Sequence, residues 1–224
     1  MVSKFRQRDY LLSDMMSRLD VMTYRPHRGR GRSRRAQETR ERIKSTVREL
    51  LADGSFHAAS VEEVAERAGV ARATLYQHFR SRLELVDAIC ETFDENPALL
   101  QLRRTVELAD ADGALSDTIA LTVRFWSSED LVLRQLYDVA AVDPAAQDLV
   151  DRQRSDRRGE YERLVRNLDR AGRLRPEVGR QRALNLLLVL SSYDTYRELC
   201  AANVSERQAV RLLQETAREL LLRP

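Results

Sequence analysis

The stretch "VEEVAERAGVARATLYQHF", residues 61–79, decides how this chain is read. Two short helical patterns flank a single glycine, Gly69, and the second carries a tyrosine and a histidine on its outside. Ser60 with Glu63 three residues on makes a capping box that opens the first helix. Val61, Val64, Ala65 and Ala68 form its apolar face. Gly69 can adopt a left-handed conformation without a steric penalty, so the chain turns sharply there. Val70 plugs the corner, and the second helix is expected over residues 72–79.

Helical geometry shows what that second helix presents. At about 100° per residue, Leu75 and Phe79 share the side that meets other helices, while Ala73 and Gln77 lie on the opposite side. Thr74 and His78 form one flank and Tyr76 the other. The outward face is small, polar and free of acids, which suits the floor of a DNA major groove. Ala73 allows close approach and can touch a thymine methyl, Gln77 can make a bidentate contact to adenine, and Arg72 can reach guanine. Thr74, Tyr76 and His78 are placed to hold phosphates on the groove walls. Arg82 falls in the first turn of the next helix, opened by a second box of Ser81 and Glu84, where it is expected to clamp a phosphate. Each residue has a plainer reading: Tyr76 as a lid on the core edge, His78 as surface, Arg82 paired with a neighbouring acid. Taken together, the turn, the caps and the outward face describe a helix-turn-helix.

The longer run "TVRELLADGSFHAASVEEVAERAGVARATLYQHFRSRLELVDAI", residues 46–89, closely resembles the N-terminal domain of the TetR family of transcriptional regulators. The resemblance is strongest over "AGVARATLYQHFRSRLEL". It implies three helices with a fourth leading into a second domain. By position it implies base contacts from Arg72, Ala73 and Gln77, and backbone contacts from Thr74, Tyr76, His78 and Arg82, with Ser60 capping the overlying helix. One departure is Ala71, where the family often has a polar residue. The recognition helix thereby loses a side-chain N-cap, worth up to roughly 1 kcal/mol.

Upstream, "QETRERIKSTVRELLADG" (37–54) places Ile43, Val47, Leu50 and Leu51 on one stripe, with Gly54 as C-cap. The segment "RPHRGRGRSRR" (25–35) shows no apolar periodicity and reads as a mobile basic arm. Its Arg28, Arg30, Arg32, Arg34 and Arg35 can neutralise phosphates or reach into a minor groove; a solvated tail is the other reading. Residues 1–35 carry ten Lys/Arg against three Asp/Glu, whereas residues 83–224 carry twenty against twenty-five. A basic front and an acidic rear point to a polyanion held by the front. Leu11, Met15, Leu19 and Met22 share a helical face, which leaves open whether residues 1–21 form an extra helix or lie outside the native product.

Downstream, the expectation is helix throughout, broken at Pro97, "DADG" (110–113), "SSED" (127–130), Pro144, "AGRLRP" (171–176) and "NVS" (203–205). A long helix from Pro144 to Ala171 turns Tyr161, Leu164, Val165 and Leu168 inward. "RALNLLLVLSSYDTYRELC" (182–200) is far more apolar. Ser205 and Gln208 cap a final helix with Ala209, Leu212, Leu213, Thr216, Ala217 and Leu220 inward. The Leu-rich run at 184–190 is apolar nearly all round and needs burial on two sides. The resemblance implies a homodimer through the two C-terminal helices; a central core helix in a monomer is the alternative. The resemblance also implies a small-molecule effector, whose chemistry is not legible. Phe125, Trp126, Tyr137, Tyr193 and Tyr196 are the candidate ligand residues, with Phe93 beside them. Aromatics at helical spacing are more often plain core, and Arg124 and Arg134, which can orient an anion, can equally form surface salt bridges.

The expected fold is therefore all-α. A basic arm (1–35) precedes a three-helix helix-turn-helix domain (36–83) and a larger helical effector-binding and dimerisation domain (84–224). The expected function is a sequence-specific DNA-binding regulator of a palindromic operator, a repressor released by a small molecule. The alternative is a regulator without small ligand, an activator or one controlled by a protein partner. His27, His57 and His78 are scattered, and no Gly-rich phosphate loop, metal-ligand cluster or Ser-His-Asp grouping is present. No enzyme, metal or cofactor is therefore expected. Cys90 and Cys200 give neither a disulfide framework nor metal spacing. Without a membrane-spanning apolar run or a signal-peptide core, a cytoplasmic protein is expected.

Overall fold

The computed structural model describes the backbone of residues 27–224 and the side chains of residues 33–224. The apolar face of Leu11, Met15, Leu19 and Met22 lies outside the described residues. Among the described residues there are ten helices and no strands. They are α1 (His27–Ala52), α2 (Val61–Arg67), α3 (Arg72–His78), α4 (Arg82–Phe93), α5 (Pro97–Thr105), α6 (Ala111–Ala140), α7 (Pro144–Arg170), α8 (Arg180–Leu190), α9 (Tyr193–Ala201) and α10 (Glu206–Leu221). The chain forms two compact units, one ending at Glu41 and one running Arg42–Pro224. The helix-turn-helix and the helices after it therefore lie in one unit.

The segment expected as an arm is helical from His27. Arginine is a good helix former, and Gly29 and Gly31 cost only about 1 kcal/mol each within a helix. Within this unit Arg34 pairs with Glu38 one turn on, at 3.2 Å. A helix with no apolar stripe stays invisible to a periodicity argument, which is why the sequence pattern suggested a coil.

In the larger unit Ile43, Val47, Leu50 and Leu51 of α1 are buried with Phe56, Val64, Ala65, Leu75 and Phe79. Gly54 and Gly69 both take positive φ, 75° and 64°, as the two turns require. The Ser60 hydroxyl accepts from the Glu63 amide at 3.1 Å, but the Glu63 carboxylate turns to Arg67 instead of completing the box. At α4 the Ser81 hydroxyl accepts from the Glu84 amide, while the Glu84 carboxylate accepts from the Arg80 amide at 2.7 Å. The full reciprocal box forms at α10, where the Ser205 amide donates to Gln208 at 3.0 Å.

The remaining helices gather around α6, which packs on α5, α7, α9 and α10; α7 also meets α4 and α8. Expected breaks at Pro97, Pro144, Gly172 and Asn203 coincide with helix boundaries. The break expected at "SSED" does not exist, because α6 runs unbroken from Ala111 to Ala140. Three of the polar residues there are accommodated without breaking the helix. Ser128 donates to the Phe125 carbonyl at 3.0 Å, Asp130 pairs with Arg134 at 2.5 Å, and Glu129 is buried against other helices. Conversely, residues 182–200 are not one helix but two. Ser192 caps α9 by accepting from the Thr195 amide at 3.0 Å. The Ser191 carbonyl accepts from the Trp126 indole at 3.0 Å. Leu212 and Leu220, expected inward, are 46% and 41% exposed, beside a buried stripe of Ala209, Leu213, Ala217 and Leu221.

Glu129 joins the first three helices to the rest. Its carboxylate accepts from Arg48 of α1 at 2.5 Å and from Asn96 at 3.0 Å, and Arg48 also donates to Thr92 of α4 at 2.5 Å. Glu129→Ala should lower stability by about 1–3 kcal/mol, the cost of leaving such donors unmatched. Glu129→Gln should cost less, since an acceptor for Arg48 or Asn96 remains. Urea unfolding midpoints at equal slope check both.

Candidate functional site

The α2–turn–α3 element is positioned from beneath. Leu75 and Phe79 are both 1% exposed and anchor α3 on the core of α1 and α2. This seating turns Arg72, Ala73, Tyr76 and Gln77 outward, all exposed, with Thr74 and His78 half-buried on the flank. The outward face foreseen from helical angles is thus the face the fold exposes. Ala71 sits at the N-cap with no side-chain hydrogen bond, and α3 holds no acid in its first turn. Ser60 keeps its hydroxyl at the opening of α2.

Arg72 is already engaged in the free protein. It pairs with Glu62 of α2 and lies over the Tyr76 ring, 5.5 Å from its centroid. The hydrogen bond to Tyr76 and the charge of Glu62 raise its pKa above the ordinary guanidinium value. Any contact of Arg72 with a base would have to compete with Glu62. The ion pair is exposed and weak, so a duplex can displace it.

Arg82 is not where it was expected. Its guanidinium turns inward, donates to the Ala59 carbonyl at 2.6 Å and stacks on Phe56, 4.0 Å from the ring centroid. Its Nη2 is buried without a hydrogen-bond partner, and burial lowers its pKa. Arg82 pins α4 to the segment leading into α2. The carbonyl and ring that hold it lie more than twenty residues earlier, so the residues around Arg82 held no signal of it. Of the expected arm contacts, Arg34 and Arg35 are exposed on α1, and the side chains of Arg28, Arg30 and Arg32 lie outside the described set.

A second feature lies further along the larger unit. A cavity of about 70 Å³ opens between α4, α5, α6 and α7. Phe125, Trp126 and Tyr137 line it with Phe93. Tyr193 and Tyr196, expected as ligand residues, are not among its walls. They back it through a run of ring contacts: Trp126–Tyr193 at 5.5 Å, Tyr137–Tyr193 at 5.0 Å, Tyr193–Tyr196 at 6.2 Å. The Tyr193 hydroxyl donates to Asp130 at 2.7 Å, and burial together with that bond pushes its pKa up. Arg124 is exposed and Arg134 is held by Asp130. Three cationic groups at the cavity were not singled out by the sequence pattern, Arg103, Arg154 and Arg157; the guanidinium carbon of Arg157 lies 5.4 Å from the Trp126 centroid. For Arg157 a signal was present: it lies one turn before buried Tyr161 on the inner stripe of α7.

An all-helical protein with an acid-free helix presented outward by a helix-turn-helix, and a separate cavity among its later helices, is a regulator of the helix-turn-helix class. Comparison with known proteins narrows the class. The family described as "Bacterial regulatory proteins, tetR family" matches residues 44–89. The activator FasR of Mycolicibacterium smegmatis is 39% identical over 74 residues, 32% of this chain and 34% of its own length. The regulator UidR of Escherichia coli K12 is 26% identical over 157 residues, covering 70% of this chain and 79% of UidR. Among solved structures, SmeT, the repressor of the Stenotrophomonas maltophilia multidrug efflux pump SmeDEF, superposes with a TM-score of 0.65 at 21% identity, over 84% of this chain and 92% of SmeT. Residues 44–89 thus carry a DNA-binding domain of the tetR family, and these likenesses together support a tetR-family transcriptional regulator.

Arg82→Ala should destabilise the protein by about 1–3 kcal/mol, since it removes a hydrogen bond and a cation–ring contact and leaves the Ala59 carbonyl unpaired. Arg82→Lys should not restore it, because an ammonium cannot lie flat on Phe56 while reaching Ala59. Thermal and urea melts of the two variants read this out.

Proposed function

We propose that this protein is a homodimeric repressor that reads a palindromic operator through α3 and is released by a small molecule. The observation that carries the DNA-reading part is the seating of α3, with Leu75 and Phe79 sealed in the core and Ala73 and Gln77 exposed on the opposite side. On this reading Gln77, Ala73 and Arg72 address bases, while Thr74, Tyr76, His78 and the Ser60 cap hold the backbone. Arg82 acts behind them by fixing α4. Supporting the effector part, the apolar cavity lies one contact from the reading head. Phe93 and Phe125 line it, ring centroids 5.6 Å apart. Arg48 of α1 lies over Phe93 at 5.8 Å while it binds Glu129. A molecule that displaces Phe93 changes the seat of Arg48 and hence the tilt of α1 to α3, a population shift between head spacings. SmeT has been solved in complex with triclosan, a small molecule of the kind this reading requires. For the dimer, the exposed apolar residues Val189, Leu212 and Leu220 on α8 and α10 supply the outer stripe that a second copy would cover. A DNA-bound protein acts in the cytoplasm, and among the described residues no helix is long and apolar enough to cross a membrane.

The activator name of FasR favours the second reading, a regulator that recruits rather than blocks. Selection of bound duplexes from a random pool, repeated with candidate metabolites, tests the main reading: a two-fold symmetric consensus that disappears on adding a ligand supports it, and no enriched duplex at modest salt refutes it.

Gln77→Ala should relax base preference at one position per half-site, costing about 1–3 kcal/mol on the native operator. Tyr76→Ala should weaken all duplexes about equally. Competition binding against single-base variants separates the two patterns. Replacing Arg34 and Arg35 together by Ala should reduce the slope of log affinity against log salt by roughly one for each phosphate that the pair neutralises. An unchanged slope would remove them from the interface.

A further inference from the structure

The cavity between α4, α5, α6 and α7 is lined by a guanidinium, that of Arg157, whose buried Nε has no hydrogen-bond partner. We infer that the cavity takes a small apolar molecule ending in a carboxylate, with Arg157 holding the carboxylate. This rests on the effector reading above and adds the chemical class of the ligand.

The walls are largely apolar: Phe93, Leu102, Phe125, Trp126, Leu133 and Val150 among them. The charged groups at the rim are almost all answered. Arg103 meets Asp94 at 2.5 Å and Glu160 at 3.6 Å, Glu160 also binds Arg163, and Arg154 meets Asp151 at 3.1 Å. Asp156 is exposed to water. Arg157 differs. Its guanidinium lies over the Trp126 ring, and its Nε is shut away from water with no hydrogen-bond acceptor. A ring face attracts the cation but leaves the Nε–H without an oxygen, so that donor stays unused. A carboxylate matches the planar guanidinium fork and would satisfy Nε–H with a second N–H in parallel. Tyr137 also lines the cavity, and its hydroxyl adds a polar group to the otherwise apolar wall. A cationic ligand would meet repulsion from Arg157. The cavity's volume of about 70 Å³ limits the apolar part to one ring or a short chain unless its walls move.

The test uses the protein's own reporter, since Trp126 is the single tryptophan of the chain and lines the cavity. Its emission is followed while the full chain is titrated with phenylacetate, phenylacetamide, hexanoate and hexanamide. The acids should bind at least roughly tenfold tighter than their amides, in line with a charge-assisted pair in place of a neutral one. Arg157→Gln should abolish that preference and keep amide binding, while Arg157→Lys should retain part of it. A melting temperature close to the parent's shows that the variants are folded. The assignment is overturned if neither acid alters Trp126 emission, if acid and amide bind equally, or if Arg157→Gln keeps the preference for acids. The two readings fail separately. Amides that bind as well as the acids and release the selected duplex would sustain the effector reading and sink the Arg157 assignment. Acids that fill the cavity through Arg157 without altering DNA affinity would sustain the assignment and sink the release mechanism.

Discussion

A carboxylate in the middle of a helix, 8% exposed, has to be answered by donors from elsewhere. Glu129 sits midway along α6 and receives them from two places at once: Arg48 on α1 and Asn96 at the head of α5. Arg48 then directs its second nitrogen to Thr92 near the end of α4. Three helices that carry or support the reading head are thereby registered against the helix that forms the centre of the larger unit. Such a pair adds little net stability over a well-packed apolar substitute, because desolvating two charges offsets most of their attraction. What it supplies is geometry. A Leu at position 129 would pack in several rotations, whereas a carboxylate with two donors accepts one.

That single arrangement sets the cavity wall against the charge network beneath the helix-turn-helix. Phe93 ends α4, faces Phe125 edge-on, lines the cavity and lies beneath Arg48. The last ring of the cavity wall is thus the first ring under the charge network. Packed aromatic rings do not yield gradually, since interiors are dense and displaced side chains move to other rotamers. Under the proposed release, a ligand would switch Arg48 between discrete seatings rather than load a spring. The other ring contacts, from Trp126 through Tyr193 to Tyr196, lead away from the head toward α9, where Tyr193 is tied to Asp130. They brace the wall on the side away from the head.

Much of the helix-turn-helix was legible because its determinants are local. The left-handed turn at Gly69, the caps at Ser60 and Ser81, and the side of α3 that faces inward are all set within four or five residues. Apart from the basic arm, which has no apolar stripe to read, the misreadings share one cause, packing against partners far along the chain. Ser127–Asp130 has the composition of a loop, yet it continues α6 because Glu129 meets Arg48 and Asn96. Ser191–Ser192 lay within an apolar run, yet the helix stops there and the freed Ser191 carbonyl takes the Trp126 indole. Leu212 and Leu220 fit the inner face of α10 by pattern, but α6 and α8 cover a narrower stripe.

From residue order alone follow the helical class, the turn at Gly69 and the outward face of α3. Each depends on backbone conformation and 3.6-residue periodicity, which act over a few residues. Only the packed chain decided that Arg82 turns inward onto Phe56 rather than outward, that Glu129 holds α6 to the head, and that Arg157 lies over Trp126. A charged side chain takes the orientation of its nearest partner in space, and that partner is chosen when distant helices meet.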